Sequence, residues 1–150
     1  MRTVRYALHL MRRYFMALSR REPDPIDVAE VSEVLSDGEY DLWCSMRVED
    51  RRHSIAVLRR FDVLVPGVGR APRAAALLHD IGKVESDLGV LQRVAATLLG
   101  GVSVRFAAYH EHVERGARLL EDAGSDPAVV ALVRGQGPES AMLRRADDTA

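Results

Sequence analysis

Of the five histidines in the chain, His9, His53, His79, His110 and His112, the most informative is His79, because Asp80 follows it directly inside a helical segment that is otherwise apolar. Burying a carboxylate in such a segment is costly unless it is paired or bound to a metal. Adjacent helical residues diverge by about 100°, so the two side chains seldom share a partner by chance. An imidazole and a carboxylate from one turn can nevertheless converge on an ion lying beside the helix. Nitrogen and carboxylate oxygen together suit Zn, Mn, Fe or Ni, and Mg less well. The plain alternative is a hydrogen-bonded His-Asp pair inside the core.

The run Leu77-Leu78-His79-Asp80-Ile81-Gly82-Lys83 resembles the signature of the HD phosphohydrolase superfamily, in which an all-helical domain binds one or two divalent metals. The family pattern places a further His on an earlier helix, and the stretch from Asp50 to Val57 supplies His53 there, 26 residues before His79. It also places an Asp on a late helix after Leu-x-x-Ala, a place filled by Leu143-Arg144-Arg145-Ala146-Asp147-Asp148. The segments fall in the family's order and extend from about Asp50 to Asp148, two-thirds of the chain.

The resemblance implies His53, His79, Asp80 and Asp147 as ligands of one principal divalent metal, with Asp148 as the alternative to its neighbour. Such a ligand set leaves positions open for water and a phosphate oxygen. Implied with it is a phosphohydrolase acting on a phosphomonoester or a nucleotide-type substrate through a metal-activated water, Asp80 helping to hold the metal and orient that water. Lys83, the only lysine among 21 basic residues, either meets a substrate phosphate as a compact charge or compensates the end of its helix. The segment from His112 to Leu120 is similar to the family's His-Pro-x-Ile-Gly-Ala-x-Leu-Leu, with Val113 and Arg115 in place of Pro and Ile. His112 is therefore expected to act either as a second-site ligand or as a group touching substrate. His110, roughly 200° away on a helix, falls on the apolar stripe of Phe106, Val113, Ala117 and Leu120 and is expected in the core or at its boundary. Two-metal members carry further histidines where this chain has Gly135-Gln136-Gly137, so a complete dinuclear site is not expected. Two other functions remain open: a non-catalytic HD domain serving as a ligand-binding or regulatory module, and a helical interaction protein.

The elements that must position these residues are helices. Aromatic content is 5%, which leaves Leu, Val, Ala and Met to build the core and favours helix over sheet. No stretch alternates with period two for long enough to require a strand. Proline and glycine punctuation divides the chain into seven to nine helices, expected over residues 1–21, 27–35, 39–46, 50–64, 71–82, 88–99, 103–121, 127–134 and 141–147. Glu22-Pro23-Asp24-Pro25 reads as a breaker, Gly82 as the end of the helix that carries His79, and Ser125-Asp126-Pro127 as a cap followed by a first-turn proline. The expected architecture is one all-α domain over residues 1–150.

Residues 1–21 contain six arginines and no acid, with Val4, Leu8, Met11, Phe15 and Leu18 at helical spacing. That is a basic amphipathic helix, either packed with a solvated arginine face or serving as a targeting or membrane-surface element. A formal charge of −1 provides no global attraction for nucleic acid, so stable nucleic-acid binding is not expected and the expected partner is a small phosphorylated molecule such as a nucleotide. Cys44 is the only cysteine and nothing approaches a bilayer-spanning run, which points to a reducing, cytoplasmic setting.

Overall fold

The computed structural model describes residues 21–84 and 102–150, with side chains from residue 111 onward in the second stretch. The helices expected over 1–21 and 88–99, together with His9 and the side chain of His110, lie outside the described residues. Seven α-helices are described: α1 Pro25–Val34, α2 Asp37–Ser45, α3 Val48–Leu64, α4 Arg70–Leu78, α5 Val102–Asp122, α6 Pro127–Val133 and α7 Ser140–Thr149. A 3-10 turn, Ile81–Lys83, follows α4. No strand occurs among the described residues, and the fold is all-α.

Helix α4 is the pivot. Ala74, Ala75, Ala76, Leu77 and Leu78 are all fully buried, so this helix is covered on every side. Its small alanines let neighbours approach closely: α3 packs along one flank and α6 along another, with α1 and α2 closing the outside. α3 presents Ile55, Leu58 and Phe61 at helical spacing and packs against both α4 and α7. The 3-10 turn packs on α5, and α5 on α6. Trp43 of α2 is fully buried, and its Nε1–H donates to Ser54 Oγ at 2.9 Å, which anchors α2 to α3 one residue from His53. Arg51 covers the same indole, its guanidinium carbon 5.4 Å from the ring centroid.

Three of the boundaries that differ from the sequence reading have a clear local reason. α1 begins at Pro25 rather than after the Pro-Asp-Pro stretch, because Asp24 caps it by accepting from Ile26 N at 2.9 Å and Pro25 occupies the first turn. α2 begins at Asp37, since Glu39 reaches back to accept from the Ser36 backbone N–H at 2.9 Å in a capping box. α4 stops at Leu78, so His79 and Asp80 are not inside a helix. His79 is the last residue with helical dihedrals, and Asp80 (φ −101°, ψ 7°) turns the chain into the 3-10 segment. That bridge region is where turns commonly redirect side chains.

Gly82 therefore does not terminate the helix; it sits buried within the turn. A Cβ there would lie 1.9 Å from the His112 carbonyl oxygen and 2.9 Å from the Gly116 nitrogen. Its role is to let the backbone that carries His79 and Asp80 rest directly on α5 beside Gly116. By contrast, Gly124 and Gly135 do end helices, with φ of 73° and 76°. Ser125 N donates to Leu120 O and Gln136 N to Ala131 O, the paired closing bonds expected after a left-handed glycine.

Candidate metal centre

Three elements deliver three ligand-type atoms to one point. His53 comes from the middle of α3, His79 from the end of α4 and Asp147 from α7. One ligand atom of each lies within 4.8 Å of the other two. His53 Nε2 is 2.8 Å from Asp147 Oδ1, and His79 Nε2 is 3.5 Å from the same oxygen. The two imidazoles meet edge to face with centroids 5.8 Å apart. α7 is long enough to place Asp147 because its end is tied down: Thr149 Oγ1 donates to Arg145 O and accepts from Arg60 Nε.

A backbone carbonyl orients the His79 ring. His79 Nδ1–H donates to the Ala76 carbonyl at 2.9 Å, so Nε2 is the nitrogen aimed at the carboxylates. At 3.5 Å from both Asp80 Oδ2 and Asp147 Oδ1, those contacts are ion-pair distances rather than hydrogen bonds. His79 Nε2 is thus a buried nitrogen without a hydrogen-bond partner. An orphaned buried donor-acceptor atom is uncommon in a folded protein. Two imidazole nitrogens and a carboxylate oxygen around it make a donor set that fits a divalent transition metal.

Burial opposes charge on His79, but the carboxylates of Asp80 and Asp147 outweigh it and push the imidazole pKa up to about 9. Burial likewise works against ionised Asp147, yet His53 and His79 hold its pKa well below the usual carboxylate range. Asp80 is also lowered: burial and Asp147 work against its charge, and His79 and Lys83 prevail. This mutual stabilisation of opposite charges is what a divalent cation could replace.

Each residue singled out from sequence can now be placed. Asp80 lies beside the triad rather than within it, ion-paired through Oδ2 with Lys83 Nζ. Lys83, paired with Asp80, lines the same cavity. Asp147 enters the cluster, whereas Asp148 is exposed. His112 reaches the same cavity from α5, and its Nδ1 is buried without a partner. The cavity, about 110 Å3, is bordered at its polar end by His79, Asp80, Lys83, His112 and Asp147. Val113, Leu132, Val133 and Leu143 form its aliphatic wall. Gly135 also borders it, at the place where the sequence lacks the further histidines of two-metal relatives.

Sequence reasoning assigned no particular role to Arg144, which borders the cavity one turn before Asp147. The i, i+3 spacing was the available signal, since it puts the two side chains on one face of α7. No described helix is long and apolar enough to cross a membrane.

Comparison with protein families matches residues 51–146 to the HD domain. The match begins two residues before His53 and ends one residue before Asp147, which the fold itself brings to the two histidines. No curated protein and no solved structure matches the chain. A family match over more than half of the sequence, on an all-α fold whose His, His and Asp side chains converge at the expected places, makes the chain a member of the HD-domain family.

Proposed function

We propose that the protein is a metal-dependent phosphohydrolase for a small phosphorylated substrate, a phosphomonoester or a nucleotide-type molecule. The observation that carries this reading is the buried, unpartnered Nε2 of His79 between two ionised carboxylates. In this reading His53, His79 and Asp147 hold one divalent ion, of Mn, Fe, Zn or Ni type with Mg less suited, and Asp80 supports it from the side. When bound, the ion supplies Lewis acidity toward a phosphoryl oxygen and toward the attacking water.

The chain's own residues do the rest. Ala76 O keeps the proton of His79 on Nδ1, which leaves Nε2 to donate its lone pair. His53 and Asp147, hydrogen-bonded to each other here, would hold the ion together with His79. Asp80, held by Lys83 and facing the cavity, orients the water and accepts its proton. His112, which lines the same cavity from α5, would meet the substrate. The aliphatic side of the cavity excludes water from around the reacting group.

The test is metal content and phosphate release in wild type beside His79→Ala and Asp80→Asn. About one transition-metal ion per wild-type chain is expected, with affinity reduced by about 100-fold or more in His79→Ala, beyond the roughly 10- to 100-fold cost of losing an outer-shell partner. Asp80→Asn is expected to retain metal and lose hydrolysis by about 100-fold or more, the range of a lost general base. Equal, negligible metal in wild type and His79→Ala after reconstitution would sink the reading. Gly135 favours a second reading, a ligand-binding module without catalysis, because the place of further ligands is occupied by a residue with no side chain. Metal and phosphate binding without turnover is its signature.

A further inference from the structure

A phosphoryl substrate in this cavity needs positive charge that is not already engaged. Lys83 is committed to Asp80. Other described arginines are also spoken for: Arg51, Arg59, Arg70, Arg73, Arg115 and Arg134 each contact a carboxylate outside the cavity. Arg144 differs. It borders the cavity, it makes no ion pair or hydrogen bond among the described residues, and no other described arginine borders that cavity. Its guanidinium lies over Gly135, where a Cβ would be 3.7 Å from Nη1, an ordinary contact distance. On α7 it precedes Asp147 by three residues, which keeps it on the face that carries the metal ligand.

We infer that Arg144 is the anion-recognition residue of this site and that it sets the preference for a dianionic phosphomonoester. The inference rests on the phosphohydrolase reading above. A guanidinium offers two parallel N–H donors that match two phosphoryl oxygens, a geometry an ammonium cannot reproduce. Charge balance points to the monoester. The carboxylates and cationic side chains that line the cavity are Asp80 and Asp147, Lys83 and Arg144. They cancel one another, so a divalent ion is matched by a dianion. A diester carries a single charge and leaves the site one unit positive. The surrounding aliphatic wall makes such an imbalance costly.

The experiment titrates inorganic phosphate and, separately, dimethyl phosphate into the full chain reconstituted with Mn2+, following binding by calorimetry. Wild type, Arg144→Gln, Arg144→Lys and Arg145→Gln are compared, and metal content is measured on the same samples. Expected is tighter binding of phosphate than of dimethyl phosphate by wild type. Arg144→Gln weakens phosphate binding about 10- to 100-fold, the loss of hydrogen bonds to a charged group, with metal content unchanged. Arg144→Lys recovers part of that loss, and Arg145→Gln, which changes an exposed neighbour, binds phosphate as wild type does. Phosphate binding by Arg144→Gln equal to wild type overturns the assignment, as does a wild-type preference for dimethyl phosphate. Absence of metal from wild type, with Arg144-dependent phosphate binding intact, would instead overturn the metal-dependent reading and leave Arg144 standing. Thermal unfolding serves as the folding check for each variant, and Arg144→Lys keeps the test decisive if Arg144→Gln does not fold.

Discussion

His79 carries two ring nitrogens with different fates, one donating to Ala76 O and the other buried with no hydrogen-bond partner. Asp147 lies 2.8 Å from His53 and 3.5 Å from His79, while its sequence neighbour Asp148 is exposed. Adjacent helical residues point about 100° apart, so only one of the two can face the histidines. A direct comparison follows from this. Asp147→Asn is expected to lower metal affinity by at least about tenfold, since an amide oxygen is a weaker ligand than a carboxylate. Asp148→Asn is expected to leave metal content at the wild-type level, as surface substitutions away from partners do. Metal analysis of the two purified variants checks it, and the reverse pattern would assign the ligand to Asp148. Sequence left this choice open because both residues follow Leu143-x-x-Ala146 closely enough to satisfy a pattern; the helix phase that separates them is a property of packing.

At the scale of elements, the contact between the 3-10 turn and α5 is the joint on which the site depends. Gly82 presses on the His112 carbonyl, and the obstructing atom is backbone, which cannot rotate away. Gly82→Ala is therefore expected to destabilise the fold by about 1–3 kcal/mol or more, the cost of overpacking a filled contact. It is also expected to weaken metal binding, since the turn that carries His79 and Asp80 must shift from α5. Gly69→Ala, at a glycine with open space around its Cβ position and φ of −71°, is the matched control and is expected to cost within about 1 kcal/mol. Thermal unfolding with and without Mn2+ reads both effects; an unperturbed Gly82→Ala would remove the joint from the account. The same joint marks the limit of what was legible in the sequence. Helix existence followed from punctuation, and the Asp126-Pro127 cap was readable. The identical Asp24-Pro25 signal and the Ser36-x-x-Glu39 box were equally present but masked by the neighbouring Pro23 and Gly38. Gly82 looked like a helix terminator because a close approach between segments far apart in sequence leaves no local trace.

For the whole molecule, the charge cluster couples folding, metal and protons, and the sign of each coupling can be worked out. His79 has its pKa raised from an ordinary 6.5 to about 9 because Asp80 and Asp147 outweigh its burial. In the metal-free fold its contribution to stability is complete below pH 6.5 and is lost as pH rises through 9. Asp147 and Asp80 are lowered, so their contribution is present above the ordinary carboxylate range near pH 4 and is lost as pH falls. The metal-free cluster therefore stabilises most between about pH 4 and pH 6.5. A metal at His79 Nε2 has to displace the proton held there, so its apparent affinity rises by up to about tenfold per pH unit until the pKa is reached. Binding that favours the folded state then adds about 1.4 kcal/mol for each tenfold gain, at fixed metal well above the dissociation constant. The expected outcome is a gap between the melting temperatures of Mn2+-loaded and chelated protein that widens from pH 6 to pH 8.5, as the metal-free form loses stability and the loaded form gains. Calorimetry in two buffers of different ionisation heat should register the release of about one proton per ion at neutral pH. A gap independent of pH, with no proton released, would mean that His79 is already neutral in the metal-free fold. The unpartnered Nε2 would then be the lone pair of a site preformed for its ion.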